Sequence, residues 1–227
     1  MTKKKLAQFD LDHTLLDGDS DVLWCDFLID QGELERSSFA AQNAAMERDY
    51  QAGTVSALAF AGFYVSTLAG RTPAQWHALR AAFVQDVVAP RISAKARALV
   101  HEQRSSGALV VLTTATNRYI TEPTAQLLGI QHLIGTECEV AADGCYTGRI
   151  AGQPNMREGK LTHLHAWLAG RGQKKLQDFD SWAYSDSAND LPLLRAVQHP
   201  VAVHPDERLA AEAARLGWPV LRLHGSV

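Results

Sequence analysis

Short apolar runs that end in polar residues, separated by helix-length stretches, constrain this chain more than any other feature. Leu6-Ala7-Gln8-Phe9 ends in Asp10-Leu11-Asp12. Leu109-Val110-Val111-Leu112, Ser181-Trp182-Ala183-Tyr184, Pro200-Val201-Ala202-Val203 and Pro219-Val220-Leu221 follow the same plan. Runs this short and this apolar, bounded by turn residues, read as buried strands. Helical stretches precede each of the later ones. Strands alternating with helices imply a parallel sheet covered on both faces. The expected fold is α/β, a Rossmann-like doubly wound parallel sheet.

The alternation breaks once. Residues 20–31, 35–51, 54–68 and 73–88 all read as helices, separated by Gly32, Gly53 and Gly70. Thr72-Pro73 opens the last with a cap residue and a proline at the first helical position. Four helices in succession imply an α-helical bundle inserted after the first strand. The expected organisation is a core domain of residues 1–15 and 89–227 with a helical domain of residues 16–88. Further helices are expected over 93–105, 119–128 and 157–169. Two extended runs within 133–150 flank Asp143-Gly144, a hairpin signal. The polar stretch Gly170-Arg171-Gly172-Gln173-Lys174-Lys175 reads as a solvated loop.

Composition removes several classes of function. With 46% hydrophobic and 21% charged residues, the 227-residue chain is globular rather than disordered. A net charge of −3 argues against a grip on nucleic acid. No apolar run approaches the roughly 20 residues needed to span a bilayer. The basic start Met1-Thr2-Lys3-Lys4-Lys5 is followed by too short an apolar stretch for a signal peptide. Cys25, Cys138 and Cys145 are too few and too scattered for a disulfide framework. The expectation is a cytoplasmic protein with reduced thiols, a monomer or small homo-oligomer, with no membrane or nucleic-acid partner.

In open parallel sheets, ligands bind beyond the carboxyl ends of the strands. The first strand delivers Asp10 and Asp12 there, with Thr14 behind. The second delivers Thr113-Thr114-Ala115-Thr116-Asn117, and the third Ser185-Asp186-Ser187-Ala188-Asn189-Asp190. Lys160 stands near the start of the helix between them. Each signal alone is weak, since a threonine after a strand is usually a helix cap and a lone lysine is usually solvated. Together they place several carboxylates, a lysine and hydroxyls on one sheet edge. Converging carboxylates repel one another unless a cation sits among them. Aspartate oxygens suit Mg²⁺, which shares its shell with a substrate phosphate. A carboxylate attacks phosphorus to form a labile aspartyl phosphate, and a second carboxyl protonates the leaving group and then activates water.

Asp10-Leu11-Asp12-His13-Thr14, Thr114, Lys160 and Asp186-Ser187-Ala188-Asn189-Asp190 resemble, in order and spacing, the four motifs of the haloacid dehalogenase superfamily. The resemblance covers the whole chain. The helical block between the first two motifs looks like that family's type I cap, in its phosphoserine phosphatase-like branch. The resemblance implies Asp10 as nucleophile and Asp12 as general acid and base. It implies Mg²⁺ held by Asp10, the backbone carbonyl of Asp12, and Asp186. Thr114 and Lys160 would bind the phosphoryl group. Asp190 would support the metal shell or orient Lys160, with Asn189 a nearby polar contact. An acid at Asp12 separates the family's phosphatases from its dehalogenases, which lack it, and from the P-type ATPases, which carry threonine there.

Asp17, Asp19 and Asp21 stand at the entry to the helical block. Asp19 reads either as a helix cap or, nine residues after Asp10, as the acid that binds a substrate ammonium in phosphoserine phosphatases. Those enzymes pair the substrate carboxylate with an arginine whose position falls near Tyr64. Residues 49–70 contain no Arg or Lys. An amine pocket without a carboxylate pocket suits an amino-alcohol phosphate. Within the branch, the chain looks most like the histidinol-phosphatases, which implies histidinol phosphate as substrate. Phosphoserine or another amino-alcohol phosphate is the alternative, and a non-catalytic binding module the remote one. A phosphonatase would need a cap lysine, and none lies between Lys5 and Lys95.

Other constellations carry less. His163 and His165, two apart on a helix, point to different faces and make no zinc site. No G-x-x-x-x-G-K-[ST] loop is present. Cys138 and Cys145 flank the Asp143-Gly144 turn, a spacing that allows them to face each other across a hairpin, where two adjacent buried thiols are favoured over a redox switch. Trp24, Tyr50, Phe60, Phe63 and Tyr64 read as bundle core, with one or two lining a substrate pocket.

Overall fold

The computed structural model describes residues 3–172 and 175–225. Met1 and Thr2 of the basic start, and Gln173 and Lys174 of the expected polar loop, lie outside them. The chain runs β1 (Lys4–Phe9), α1 (Ser20–Asp30), α2 (Arg36–Gln51), α3 (Ala57–Ser66), α4 (Pro73–Ala82), α5 (Ala94–Ser105), β2 (Leu109–Asn117) and α6 (Arg118–Leu127). It continues through β3 (His132–Thr136), β4 (Cys138–Val140), β5 (Tyr146–Ile150), α7 (Glu158–Gly170), β6 (Phe179–Ser185), α8 (Leu191–Ala196), β7 (His199–Val203), α9 (Glu207–Leu216) and β8 (Val220–Leu221).

Six strands form one parallel sheet in the order β3-β2-β1-β6-β7-β8, so the α/β expectation is met. Strand β1 lies in the middle of the sheet, and Leu6 to Phe9 are buried on both of its faces. Leu6 joins the core that includes Leu164, Leu168 and Phe179. Ala7 and Phe9, alternating with it, join the opposite core with Ile92, Ala96, Val100 and Ile120. Phe9 is paired with Leu112 on one side and Tyr184 on the other, and its ring stacks on Tyr184 at 4.5 Å.

The sheet has one strand more than the sequence reading expects. The stretch 133–150 is not a single hairpin. Its first part, His132–Thr136, joins the sheet edge as β3, parallel to β2. Apolar residues in so short a run do not reveal which partner they pair with. Gly135 lets this strand approach the chain at the start of α6, since a Cβ there would meet the Arg118 Cα and the Thr116 carbonyl at 3.2 Å. The hairpin itself is β4–β5. Its register sets Cys138 opposite Ile150 and Val140 opposite Tyr146. Cys138 and Cys145 therefore do not face each other, and all three cysteines are free.

The four expected helices form between β1 and α5. The last ends as an α-helix at Ala82 and continues as a wider π turn over Phe83–Val88 and a 3₁₀ turn over Ala89–Arg91. A wider turn brings residues five apart toward one face, and both Phe83 and Val88 are buried. Phe83 packs against Trp24 and Phe27, with ring centroids 5.1 and 5.6 Å away. Helices α2 and α3 share a separate small core, in which Phe39, Met46, Tyr50, Phe60, Phe63 and Tyr64 gather around Cys25 and Met156. Among the described residues no helix is long and apolar enough to cross a membrane.

The β4–β5 hairpin docks on this helical segment through Gly148. Its φ is +79°, and a Cβ there would meet the Ala69 Cβ at 2.9 Å. Both the left-handed backbone and the contact oppose a side chain. Gly148→Ala is therefore expected to lower the unfolding free energy by about 1–3 kcal/mol in denaturant titration.

Candidate active site

The connections that leave the neighbouring strands β1 and β6 run in opposite directions along the sheet. The segment after β1 leads to β2 on one side, while β6 pairs on the other. A crevice opens at such a switch point, beyond the carboxyl ends of the central strands. Asp10 follows Phe9 there, and its N–H donates to the Tyr184 carbonyl at 2.9 Å. The loop after β6 carries Asp186 and Asp190 to the same edge, and the first turn of α7 brings Lys160.

These side chains meet. Lys160 is 3% exposed and donates from Nζ to Asp10 Oδ1 at 2.7 Å and to Asp190 Oδ2 at 2.6 Å. Ser185 Oγ donates to the same oxygen of Asp190 at 2.7 Å. Thr14 Oγ1 lies 3.2 Å from Asp10 Oδ2 and 3.1 Å from Asp186 Oδ1. Burial alone would lower the Lys160 pKa, but the Asp10 and Asp190 carboxylates outweigh it and raise it. Burial holds the Asp186 carboxyl well above its usual range, and the Asp10 and Asp190 charges push the same way. Asp190 is raised too, by burial first, with Lys160 opposing.

Asp12 sits beside this cluster with both oxygens engaged. Oδ1 accepts the Ser20 N–H at the start of α1 at 2.7 Å. Oδ2 accepts the hydroxyls of Thr116 at 2.9 Å and Thr114 at 3.2 Å. Thr114 is fully buried and turned toward Asp12, and Ala115 and Thr116 line the cavity instead. Asp19 is both a helix cap and part of the cavity wall. It caps α1, its Oδ1 accepting from the N–H groups of Asp21 and Val22 at 2.9 and 3.1 Å. It also lines the cavity. Burial and the neighbouring Asp12 charge push its carboxyl up to about 7. Asp21 is buried behind it, and Asp17 lies on the outer groove.

The cavity holds about 40 Å³ and is lined by Asp10, Asp12, Lys160, Asp186 and Asp190 together with His13, Tyr50, Phe60 and Met156. Of the five aromatics singled out in the sequence, Tyr50 and Phe60 line it. It adjoins a groove of about 810 Å³ that shares His13, Asp19, Tyr50 and Asp186. Asp17, Glu47, Asp206 and Glu207 also line that groove, against the single arginine Arg208. Tyr64, where a carboxylate-binding arginine would stand, is fully buried and lines neither space.

Two buried carboxylates, Asp10 and Asp190, share the Lys160 ammonium, with the half-buried Asp186 beside them. That excess of negative charge, with Asp186 and Asp10 bridged by one hydroxyl, fits a hard cation bound by two carboxylates and completed by water or a phosphate. Among the described residues no three His, Cys, Asp or Glu side chains are grouped so that they could hold a metal ion by themselves. His163 instead bonds Asn155, its Nδ1 lying 3.1 Å from Oδ1.

Several supporting residues have no signal in the sequence alone. Asn155 is fully buried, and its Nδ2 lies 3.1 Å from Thr113 Oγ1, 2.9 Å from the Thr114 carbonyl and 3.0 Å from the Ile134 carbonyl. It thus ties the end of β2 to β3 and to the loop that leads to Lys160. Asp206 caps α9 through Leu209 N–H and also accepts the Ala188 N–H, each at 2.7 Å, which fixes the Asp186–Asp190 loop. Arg157 donates to Asn189 Oδ1 at 3.2 Å. Each acts across a long sequence separation that only the fold brings together.

Both the sequence and the fold have known relatives. A model of the haloacid dehalogenase-like hydrolase family matches residues 7–195. The chain is 42% identical over 218 residues to a histidinol-phosphatase of Neisseria meningitidis serogroup C, covering 96% of this chain and 98% of that one. It is 32% identical over 224 residues to a phosphoserine phosphatase of Mycobacterium tuberculosis, covering 94% and 69%. Among solved structures, a protein of unknown function from Bordetella pertussis Tohama I superposes with a TM-score of 0.93 at 42% identity, covering 98% of this chain and all of that one. A phosphoserine phosphatase solved as an analogue of its phospho-aspartyl intermediate shares the fold, with a TM-score of 0.68 at 16% identity over 98% of this chain and 95% of the other. With a family match across most of its length and a relative this similar end to end, the chain belongs to the haloacid dehalogenase-like hydrolases.

Proposed function

We propose that this protein is a Mg²⁺-dependent phosphomonoesterase that works through an aspartyl phosphate on Asp10, with histidinol phosphate as its preferred substrate. The observation that carries the reading is the cavity in which Asp10, held by Lys160 and Thr14, faces Asp12. Asp10, Asp186 and the backbone carbonyl of Asp12 would hold Mg²⁺, which supplies charge neutralisation at the phosphoryl oxygens when bound. Asp10 attacks phosphorus with a carboxylate oxygen while the bond to the leaving oxygen breaks. Asp12 gives its proton to that oxygen. As a base, Asp12 then takes a proton from the water that attacks the aspartyl phosphorus, releasing phosphate and restoring Asp10. Lys160 and Thr114 bind phosphoryl oxygens, Thr114 exchanging its Asp12 partner for one of them. Asp190 holds Lys160 in place, and Asn189 orders the loop between. In this reading residues 16–88 form the cap, and α2 and α3 cover the site with Tyr50 and Phe60.

The groove beside the cavity sets Asp17, Asp19, Glu47, Asp206 and Glu207 against Arg208 and three histidines, and this excess of acid favours a cationic alcohol over one that also carries a carboxylate. Histidinol phosphate has an amine, an imidazole and no carboxylate. One relative, 42% identical over nearly the whole of both chains, is named for that substrate, and a more distant one for phosphoserine. The test is a turnover assay on histidinol phosphate, phosphoserine and p-nitrophenyl phosphate, with Mg²⁺, with Ca²⁺ and with a chelator. Histidinol phosphate should give the highest kcat/KM, the chelator should abolish turnover, and Ca²⁺ should support it poorly. Failure to hydrolyse any small monoester with Mg²⁺ would falsify the reading.

Asp19 gives a pH signature for the substrate. Its carboxyl, raised to about 7 by burial and Asp12, is neutral below that pH and charged above it. Only the charged form attracts an ammonium. The kcat/KM for histidinol phosphate, divided by that for p-nitrophenyl phosphate, is therefore expected to rise through about pH 7. Asp19→Asn should lower that ratio about ten- to a hundredfold and flatten its pH dependence. Equal losses on both substrates would make Asp19 a helix cap alone.

A further inference from the structure

Two histidines that this chemistry does not use hold the loop that carries Thr14. His224, beyond β8, donates from Nε2 to the Thr14 carbonyl at 2.8 Å. His204 follows β7, and its Nε2 accepts the backbone N–H groups of Leu223 and His224 at 2.7 and 2.8 Å. Backbone amides only donate, so His204 Nε2 carries no proton. A carbonyl only accepts, so His224 Nε2 carries one. The two rings stack with centroids 4.8 Å apart. Ser93 Oγ anchors the same strip by donating to the Leu223 carbonyl at 2.7 Å.

The backbone at His204 is strained for this purpose. Its φ is +44°, a left-handed conformation that residues other than glycine seldom adopt. Such strain persists only where neighbouring contacts over-determine it. Here the contacts are the two amide bonds that the ring receives, and they set the height of His224 over Thr14. Thr14 is fully buried, and its hydroxyl lies between Asp10 and Asp186. A shift of its backbone moves that hydroxyl off both carboxylates.

We infer that His224, seated on His204, is a positioning residue that fixes Thr14 and through it the spacing of Asp10 and Asp186. The inference rests on reading those two acids as the reacting centre. The experiment compares His224→Phe, which keeps a stacked ring without a donor, with His224→Gln, which returns an N–H at the reach of Nε2. Amide hydrogen exchange over residues 13–18 and steady-state turnover with Mg²⁺ are measured on the same full-length proteins. His224→Phe should speed exchange in that segment and lower kcat about ten- to a hundredfold with KM little changed. His224→Gln should recover both.

Unchanged exchange in His224→Phe overturns the latch, whether or not the chain hydrolyses a phosphate ester. Faster exchange with unaltered kcat overturns the positioning role and leaves the reading of Asp10 intact. An equal loss of kcat in both variants, together with a lower Tm, makes His224 a packing residue and also overturns the inference. An unsubstituted protein without turnover removes the reacting centre that His224 would position, while exchange still decides the latch.

Discussion

Purified Asp10→Asn protein is expected to fold normally and to lose roughly four to six orders of magnitude in turnover. The carboxamide has nearly the shape of the carboxylate but no charge with which to attack phosphorus. It also removes one of the two carboxylates offered to Mg²⁺. The fold should survive, because Lys160 keeps its 2.6 Å partner Asp190 and one of three crowded acids is neutralised. Circular dichroism and Tm check the fold, and turnover of p-nitrophenyl phosphate checks the chemistry. The same substitution should abolish any acid-stable mass increase of one phosphoryl group trapped by rapid quench. Near-normal turnover in Asp10→Asn would sink the aspartyl-phosphate mechanism and leave a direct attack by water in its place.

The residues that the proposed chemistry would use were legible because they obey a local rule. Asp10 and Asp12 end one apolar run, and the acids from 186 to 190 end another, so the strand pattern alone sends them to one edge. The insertion after β1 was legible because glycines and the Thr72-Pro73 signal mark its helices. What escaped depends on pairing across the fold. Strand β3 could not be separated from the hairpin, since Leu133 and Ile134 suit either partner. The π turn at Phe83–Val88 follows from where two apolar side chains must point once Trp24 is packed, not from helix signals. Thr114 lies where the motif puts it, but its hydroxyl turns to Asp12, a choice set by the neighbouring Thr116 and Ser20. Asn155, Asp206 and the pair His204–His224 act over separations that no spacing rule covers.

Lys160→Met carries the second large effect, and its sign depends on pH. Methionine retains most of the side-chain volume but leaves the buried Asp10 and Asp190, and Asp186 beside them, without a counter-charge. Breaking one partner of a buried ion pair costs about 3–5 kcal/mol when the remaining charge must stay. Here it need not stay, because the acids can take up protons. Lys160 opposes the upward shift of both Asp186 and Asp190, so its loss raises both further. An acid whose pKa is higher folded than unfolded stabilises the fold below its unfolded pKa, near 4, and loses that contribution as pH rises through the folded value. The variant should therefore lie close to the unsubstituted protein in stability at about pH 5 and fall progressively behind toward about pH 8. Mg²⁺ should restore part of the deficit at the higher pH, since a cation then replaces the missing ammonium. Turnover should fall at least about 10²- to 10³-fold even with Mg²⁺, because a donor to the phosphoryl oxygens is gone. Denaturant titrations at both pH values, with and without Mg²⁺, measure the first effect and steady-state assays the second. A stability loss that is the same at both pH values would mean that Lys160 is held by packing and not by the three acids. A variant that keeps its activity would take Lys160 out of the phosphoryl site.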